Sequence, residues 1–251
     1  MGCATLHKAH QKAPPVTQAA PVVRVMTWNI HGAIGRNRRF DLAQVIDLIK
    51  QHAPDIVALQ EVDSRRPRKS GMQDPFVALQ AALGSHAVGA KSIITTDGEY
   101  GQALISRWPI CKSEVHDISY PEREPRRAIR CEVATPWGQL RLIATHLGLS
   151  VGERRNQTRM LLDLIGAAQS NTIVLGDFND WFWVGSVRKA LAARLPGRSR
   201  QRTFPSFCPI FRFDRIYCGP AAALARTYTD RRACRLSDHL PVLAEIDCRF
   251  M

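Results

Sequence analysis

Five short apolar runs, each ending in polar residues, constrain this chain more than any other feature. Val23 to Trp28 ends in Asn29-Ile30-His31-Gly32, and Asp55 to Leu59 ends in Gln60-Glu61-Val62-Asp63. Leu140 to Ala144 ends in Thr145-His146-Leu147-Gly148, and Thr172 to Leu175 runs into Gly176-Asp177-Phe178-Asn179-Asp180-Trp181. Val242 to Ile246, apolar apart from Glu245, follows Leu236-Ser237-Asp238-His239-Leu240-Pro241. Short, β-rich, nearly uncharged runs of this kind are buried strands. Sites are built where several strand ends converge on one crevice. Side chains alternate along an extended backbone, so Asp177 and Asn179 are expected on one side, gripping a small group such as a water molecule. Asp238-His239 supplies an acid–base or electrostatic partner. The two runs together point to a hydrolytic site.

Helical spacing separates these strands. Arg39 to His52 places Leu42, Val45, Ile46 and Ile49 on one face, and Glu153 to Ala168 does the same with Met160, Leu161, Leu164 and Ile165. Gly152-Glu153 is expected to open the second helix and Ser170-Asn171 to close it. Val187 to Leu195 is a shorter candidate. The alternation predicts an α/β class with buried sheets. A chain of 251 residues is read as one domain over 22–251. Residues 1–21, rich in Ala, Pro, Gln and Lys, are read as a flexible tail without a signal-peptide core. Met1-Gly2-Cys3 is read as an unmodified start. No apolar stretch approaches the length of a membrane span. Seven cysteines without C-x-x-C spacing argue against a disulfide framework or a structural zinc site and favour a cytoplasmic setting. Cys131, Cys218 and Cys248 are expected to be buried thiols.

The net charge is +13, and Val187 to Arg235 holds twelve Arg/Lys against two Asp. Smaller clusters lie at Arg65-Arg66-Pro67-Arg68-Lys69 and across Arg123 to Arg130. A basic surface of this kind draws polyanions. Nucleic acid is the favoured partner and an anionic membrane surface the alternative; no obligate protein partner is evident. Pro196 to Pro209, inside the basic segment, reads as a flexible loop.

Seven blocks carry a resemblance: TWNIHG (27–32), LQEVD (59–63), ALISRWPI (103–110), THLG (145–148), GDFND (176–180), FDRIY (213–217) and SDHLPV (237–242). In this order the chain resembles the endonuclease/exonuclease/phosphatase superfamily, which includes deoxyribonuclease I, apurinic endonucleases, neutral sphingomyelinases and inositol polyphosphate 5-phosphatases. The resemblance implies a four-layer α/β sandwich, with two mixed β-sheets face to face and helices outside. It also implies a Mg²⁺- or Mn²⁺-dependent phosphoesterase acting on a phosphate-ester substrate. A phosphodiesterase with nuclease activity is the first reading. A phospholipid head-group phosphodiesterase or inositol-phosphate phosphatase is the alternative, and a catalytically silent binding module the third.

The resemblance also distributes roles. Glu61, a carboxylate at a strand end, is the expected ligand of a hard divalent ion, with Asn29 and Asp238 beside it. Asn29 is further expected to touch a phosphate oxygen. Asp177 and His239 share the activation of water, and Asn179 steadies the water or the phosphoryl group. Asp214 orients His239, because a carboxylate on the far ring nitrogen fixes the tautomer. His146 is similar to a histidine that acts on the leaving-group side. The EREPRR stretch (122–127) offers Arg123 or Arg127 as a phosphate clamp. His31 departs from the pattern, since many nuclease members carry an acidic residue there. It is either an aid to the metal site through water or a neutral loop histidine. Gln60 is expected on the face opposite Glu61, Asp180 either at a helix start or at substrate, and Trp181-Phe182-Trp183 against a base, an acyl chain or the core.

Overall fold

The computed structural model describes residues 21–65, 73–167, 171–181 and 185–250. The expected tail up to residue 20, the run Arg66-Pro67-Arg68-Lys69, Ala168, Ser170, Phe182 and Trp183 lie outside the described residues.

Twelve strands form two sheets. In chain order they are β1 (Val22–Asn29), β2 (Ile56–Asp63), β3 (His86–Thr95), β4 (Gly98–Ser106), β5 (Ile110–Asp117), β6 (Arg127–Thr135), β7 (Gly138–His146), β8 (Thr172–Asp177), β9 (Gly197–Arg198), β10 (Asp214–Cys218), β11 (Leu224–Tyr228) and β12 (Val242–Asp247). One sheet has the order β11-β12-β1-β2-β4-β3 and the other β5-β6-β7-β8-β10-β9. Each is mixed: β1–β2 is the parallel pair of the first and β7–β8 that of the second. The inner faces meet in one apolar core that includes Val25, Ile56, Ala58, Leu142, Ala144, Leu175 and Ile216. The outer face of the first sheet packs on α1 (Leu42–His52) and α2 (Pro75–Leu83); that of the second packs on α3 (Val151–Ile165) and α4 (Ser186–Arg194). This is the expected four-layer sandwich.

Helix boundaries follow local chemistry that apolar spacing does not carry. The chain before α1 is held in a turn, with Gly35 N–H donating to Arg39 O and Ile34 bridging Phe40, so the helix begins at Leu42 rather than Arg39. Asp41 caps it by accepting from Gln44 N at 3.0 Å. Helix α3 opens earlier than Gly152-Glu153: Ser150 and Glu153 form a reciprocal capping box. It closes at Gly166, where φ is +63°, rather than at Ser170-Asn171. Helix α2 was not legible from spacing, because its apolar residues do not favour one face. Pro75 at its first position and the Asp74 carboxylate on Phe76 N fix its start.

Two other expectations change. The segment 196–209 is pinned rather than flexible. Its β9 pairs with β10, Ser199 N–H donates to Ile216 O at 2.9 Å, and Phe204 bridges Phe211. Cys131 and Cys218 are buried as expected, but Cys248 lies half-buried in a 3₁₀ turn after β12. Six cysteines are free among the described residues. None of the described helices is long and apolar enough to cross a membrane.

The feature of the fold that builds a site is the inner face of each central strand. Val23, Val25 and Thr27 lead to Asn29; Leu140, Leu142 and Ala144 lead to His146; Ile173 and Leu175 lead to Asp177; Cys218 and Ile216, read backwards, lead to Asp214. Each row is apolar through the core and polar at its last position.

Candidate active site

Strand register sets the first three groups side by side. His146 of β7 lies opposite Asp177 of β8, and Asp214 of β10 lies opposite Asp177 on the other side. One residue of slip in either pairing would turn a side chain to the outer face. The His146 Nε2 lies 3.6 Å from Asp177 Oδ2. His239 reaches the same carboxylate from the loop before β12, with Nδ1 2.8 Å from Asp214 Oδ2 and 3.8 Å from Asp177 Oδ2. That loop is tied to β1. Trp28 Nε1 donates to His239 O at 3.0 Å, Ser237 Oγ donates to Asn29 O at 2.8 Å, and His239 N donates to Ser237 Oγ at 3.1 Å.

Glu61 enters by a different device. Alternation along β2 would send it outward, after Val57 and Leu59. A bulge between Gln60 and Val62 puts Glu61 at φ +57°, and Val62 takes the outer place instead. The carboxylate then turns to Asn29, whose Nδ2 donates to Glu61 Oε1 at 2.8 Å and to Asp177 Oδ2 at 3.1 Å. Bulges that re-aim one side chain are over-represented beside active sites. Gln60, expected on the opposite face, instead shares the inner face with Thr27, which it meets at 3.3 Å.

The Asp177–Asn179 pair is also not placed by alternation. The strand ends at Asp177, and Asn179 sits in the left-handed region at φ +47° with its N–H donating to Asp177 Oδ1 at 2.9 Å. Its side-chain amide donates to Leu147 O at 2.9 Å, tying the ends of β7 and β8 together. Gly176 is required here. At φ +149° a Cβ would lie 1.9 Å from Thr145 O.

Burial and charge divide the groups. Asp177 and Asp214 are wholly buried, and His146 and His239 nearly so. Burial pushes His146 down to about 3, reinforced by the Arg126 charge, so it is neutral at ordinary pH. Burial also raises Asp177 well above the usual carboxylate range, against the pull of His239. For His239 burial works against the charged form, but the carboxylates of Asp214 and Asp177 prevail and raise it. Burial opposes the charge on Glu61 too, yet His31, His146 and Asn29 hold it at about 2. Glu61 is therefore ionised.

His31 Nδ1 lies 3.5 Å from Glu61 Oε2 and 3.6 Å from Asp238 Oδ1. Its pKa is raised, first by the hydrogen bond to Glu61 and against desolvation, and the ring stands between the two carboxylates. It faces a cavity of about 270 Å³ that Glu61, Asp63, Arg65, Tyr100 and Glu124 also line. Two groups of residues could hold a cation. Glu61 and Asp238 offer carboxylate oxygens on either side of His31. Asp177, Asp214 and His239 offer ligand atoms all within 4.8 Å of one another. The second group is largely engaged internally: Asp214 Oδ2 is bonded to His239 and Asp177 accepts from Asn29 and Asn179, which leaves Asp214 Oδ1 unpaired. The first, the ionised Glu61 at the edge of the cavity and the half-exposed Asp238 across His31, suits a hard ion that keeps several waters.

Of the two arginines expected at phosphate, Arg123 is exposed and Arg127 is engaged by Asp117 and by Ser119 Oγ at 3.0 Å. The arginine whose charge reaches His146 is Arg126. It is 5% exposed, with Nε unpaired, in a small cavity beside Tyr100, Gln102 and His146. The stretch EREPRR flagged the cluster, but only the β6 start at Arg127 decides which guanidinium turns inward. Asp180 is buried and accepts from Arg188 N at 3.3 Å near the start of α4. Trp181 packs edge-on against Phe211 and Phe213. Phe204 and Phe213, which no sequence signal singled out, flank the His239 ring at centroid distances of 4.8 and 6.1 Å.

Comparison with known proteins agrees with this architecture. The model of the Endonuclease/Exonuclease/phosphatase family matches residues 26–239. The uncharacterised protein YbhP of Escherichia coli (strain K12) is 33% identical over 242 residues, covering 89% of this chain and 95% of that protein. Among solved structures, an endonuclease/exonuclease/phosphatase from Beutenbergia cavernae superposes with a TM-score of 0.72 at 22% identity, covering 90% of this chain and 71% of that one. TDP2 from Caenorhabditis elegans, in a truncated form, superposes with a TM-score of 0.63 at 22% identity, covering 90% of this chain and 97% of that one.

Proposed function

Because this chain belongs to the endonuclease/exonuclease/phosphatase family, we propose that it is a Mg²⁺- or Mn²⁺-dependent phosphodiesterase that hydrolyses its substrate by in-line attack of water, with nucleic acid as the favoured substrate class. The observation that carries this reading is the convergence of His146, Asp214 and His239 on the buried Asp177 carboxylate, with Asn29 bridging that carboxylate to Glu61.

Glu61, Asn29 and Asp238 would hold the divalent ion, which supplies charge neutralisation at the phosphoryl oxygens. Asp177, its basicity raised by burial, orients the attacking water and accepts its proton, while His239, held charged by Asp214 and Asp177, acts on the same step from the phosphoryl side. Asp214 fixes the His239 tautomer through the 2.8 Å bond to Nδ1, so the other ring nitrogen faces the phosphoryl group. The charge on His239 then opposes the charge that develops on the phosphoryl oxygens. Asn179 holds the strand ends in register and presents its amide toward the same space. His146 stays neutral, so it acts on the departing oxygen as a hydrogen-bond donor rather than as a charged acid, as a buried neutral imidazole can. Exposed Phe207 and Ile210, close to basic residues, favour the second reading, a phospholipid head-group phosphodiesterase at an anionic membrane surface.

The test uses protein stripped with EDTA and then supplied with Mg²⁺ or Mn²⁺, assayed on bis(p-nitrophenyl) phosphate, single- and double-stranded DNA, RNA and phospholipids in parallel. Activity should vanish on stripping and return with metal, and Glu61→Gln should need far more metal while melting near the parent. Full activity in the stripped sample would refute metal dependence. Hydrolysis of phospholipids alone would move the second reading ahead.

A further inference from the structure

The outer face of the second sheet carries a cluster of arginines that the proposed reaction does not use. The chain after β9 continues alongside β10. Ser199 and Thr203 turn inward and are buried, while Arg200 and Arg202, at period two, are exposed on the other side. Arg215 of β10 points to that outer side as well, beside Tyr217. Arg212 joins them from the loop before β10. Burial and the charges of Arg215, Arg202, Arg188 and Arg200 all depress Arg212, so these four charges lie within electrostatic reach of it. No ion pair of Arg200, Arg202 or Arg212 is present among the described residues, whereas Asp180 stands as a counter-charge within reach of Arg215 and Arg188. Like charges at the exposed Arg200, Arg202 and Arg212 repel, and a polyanion relieves that repulsion.

A second observation marks the same place. Arg215 is 6% exposed, and its Nε has no partner. Nearby, Asp180 Oδ1 and Tyr217 Oη are also buried and unpaired. Unsatisfied buried polar atoms are rare, and these three, of which Asp180 Oδ1 is an anionic acceptor, call for ordered water beneath the exposed arginines.

A third observation connects the cluster to the chemistry. Trp181 is 40% exposed, and its ring lies 5.0 Å from that of Phe213, which lies 6.1 Å from His239. A row of aromatic rings therefore runs from the catalytic imidazole to the surface, where Trp181 also meets Phe211, the chain neighbour of Arg212, at 4.9 Å. Cations that track a backbone, next to an exposed ring that accepts a flat partner, are the two elements of single-strand recognition.

We propose that Arg200, Arg202 and Arg212, with Trp181, form a binding platform for a single-stranded nucleic acid, holding its phosphates and stacking one base outside the scissile position. This deepens the phosphodiesterase reading and rests on it for the direction in which the strand enters. A duplex hides its base faces in its own stack, so the ring contact selects the single strand. An anionic membrane would use the arginines but not a stacking ring.

The experiment uses the full chain in EDTA with a fluorescein-labelled oligothymidylate of about twelve nucleotides, within the site sizes such proteins cover. Fluorescence anisotropy is read across a salt series for the parent, Arg200→Ala/Arg202→Ala/Arg212→Ala and Trp181→Ala. The parent should bind, and its affinity should fall steeply with salt. The triple variant should lose about two units of log–log salt slope, at roughly 0.7 per phosphate contact on a single strand. Trp181→Ala should weaken binding about tenfold with the slope unchanged. Hydrolysis of bis(p-nitrophenyl) phosphate with metal present should be the same in all three. No binding by the parent, or an unchanged slope in the triple variant, overturns the proposal. So does binding to phosphatidylglycerol vesicles that the triple variant loses while oligonucleotide binding persists. If the oligonucleotide results are as expected but the parent does not hydrolyse the small ester, the platform stands and the phosphodiesterase reading fails.

Discussion

Replacing His146 with Asn should change how stability depends on pH, and the size of the change follows from burial. His146 is buried at the end of β7, and its pKa falls from 6.5 to about 3, first through desolvation and then through the Arg126 charge. The folded state therefore holds the neutral imidazole, while the unfolded chain binds a proton below 6.5. The stability this group contributes is complete above 6.5 and is lost progressively as pH falls toward 3. In the middle of that window the unfolded state binds one more proton than the folded state, which gives a slope of about 1.4 kcal/mol per pH unit. Integrated from about pH 7 to pH 5, one such histidine costs about 2 kcal/mol. The other titrating groups, including the raised Asp177, are common to both proteins and largely cancel in the difference. Urea unfolding of parent and His146→Asn at the two pH values, both in EDTA, isolates the term. The variant should be less stable at pH 7 through lost packing, and that deficit should shrink by about 2 kcal/mol at pH 5. Parallel losses in the two proteins would show that His146 is not held neutral, and would remove the basis for treating it as an uncharged donor to the leaving oxygen.

Two further predictions concern the carboxylate at the centre. Asp177→Ala and His239→Ala should each lower kcat by several orders of magnitude, and the double variant should cost far less than the product of the singles, because both groups serve one step; strictly multiplicative losses would place one of them outside the reaction. Gly176→Ala should destabilise the fold severely, by about 3 kcal/mol or more, since the new Cβ would meet Thr145 O at 1.9 Å on an adjacent strand; a variant that melts within a few degrees of the parent would refute the required φ.

The parts of the site legible in the sequence are those placed by period two within a strand. Asn29, His146 and Asp177 sit at the ends of inward rows whose apolar members were visible as runs. The parts not legible are those placed by departures from that period. Glu61 could be named as a strand-end carboxylate, but not aimed, because the bulge at φ +57° leaves no mark on the hydrophobic pattern. Asn179 was expected beside Asp177 by alternation and arrives there by a left-handed turn instead. Arg126 lay in a flagged cluster, and its inward turn depends on where β6 begins. The aromatic ring contacts of His239 join Phe204 to a position 35 residues away in the chain, a separation no local pattern reports.

The rows that fill the core are the rows that end in the site, and this explains why His146 and Asp177 titrate so far from their ordinary values. His146 stands on Ala144 and Leu142, Asp177 on Leu175 and Ile173, and Asp214 on Ile216 and Cys218. The floor beneath three ionisable groups is thus the inter-sheet core itself, which offers neither water nor counter-charge. Each group can keep a charge only by facing another one across the seam. Asp214 and His239 do so at 2.8 Å, Glu61 does so against His31, and His146, flanked by the Arg126 charge, gives up its proton. A substitution deep in a row, such as Ala144→Val, would shift His146 against Asp177 without touching either. Its expected signature is a change in the pH dependence of stability between pH 5 and pH 7, read by urea unfolding, because moving His146 against Asp177 alters the desolvation and charge interactions that set its pKa.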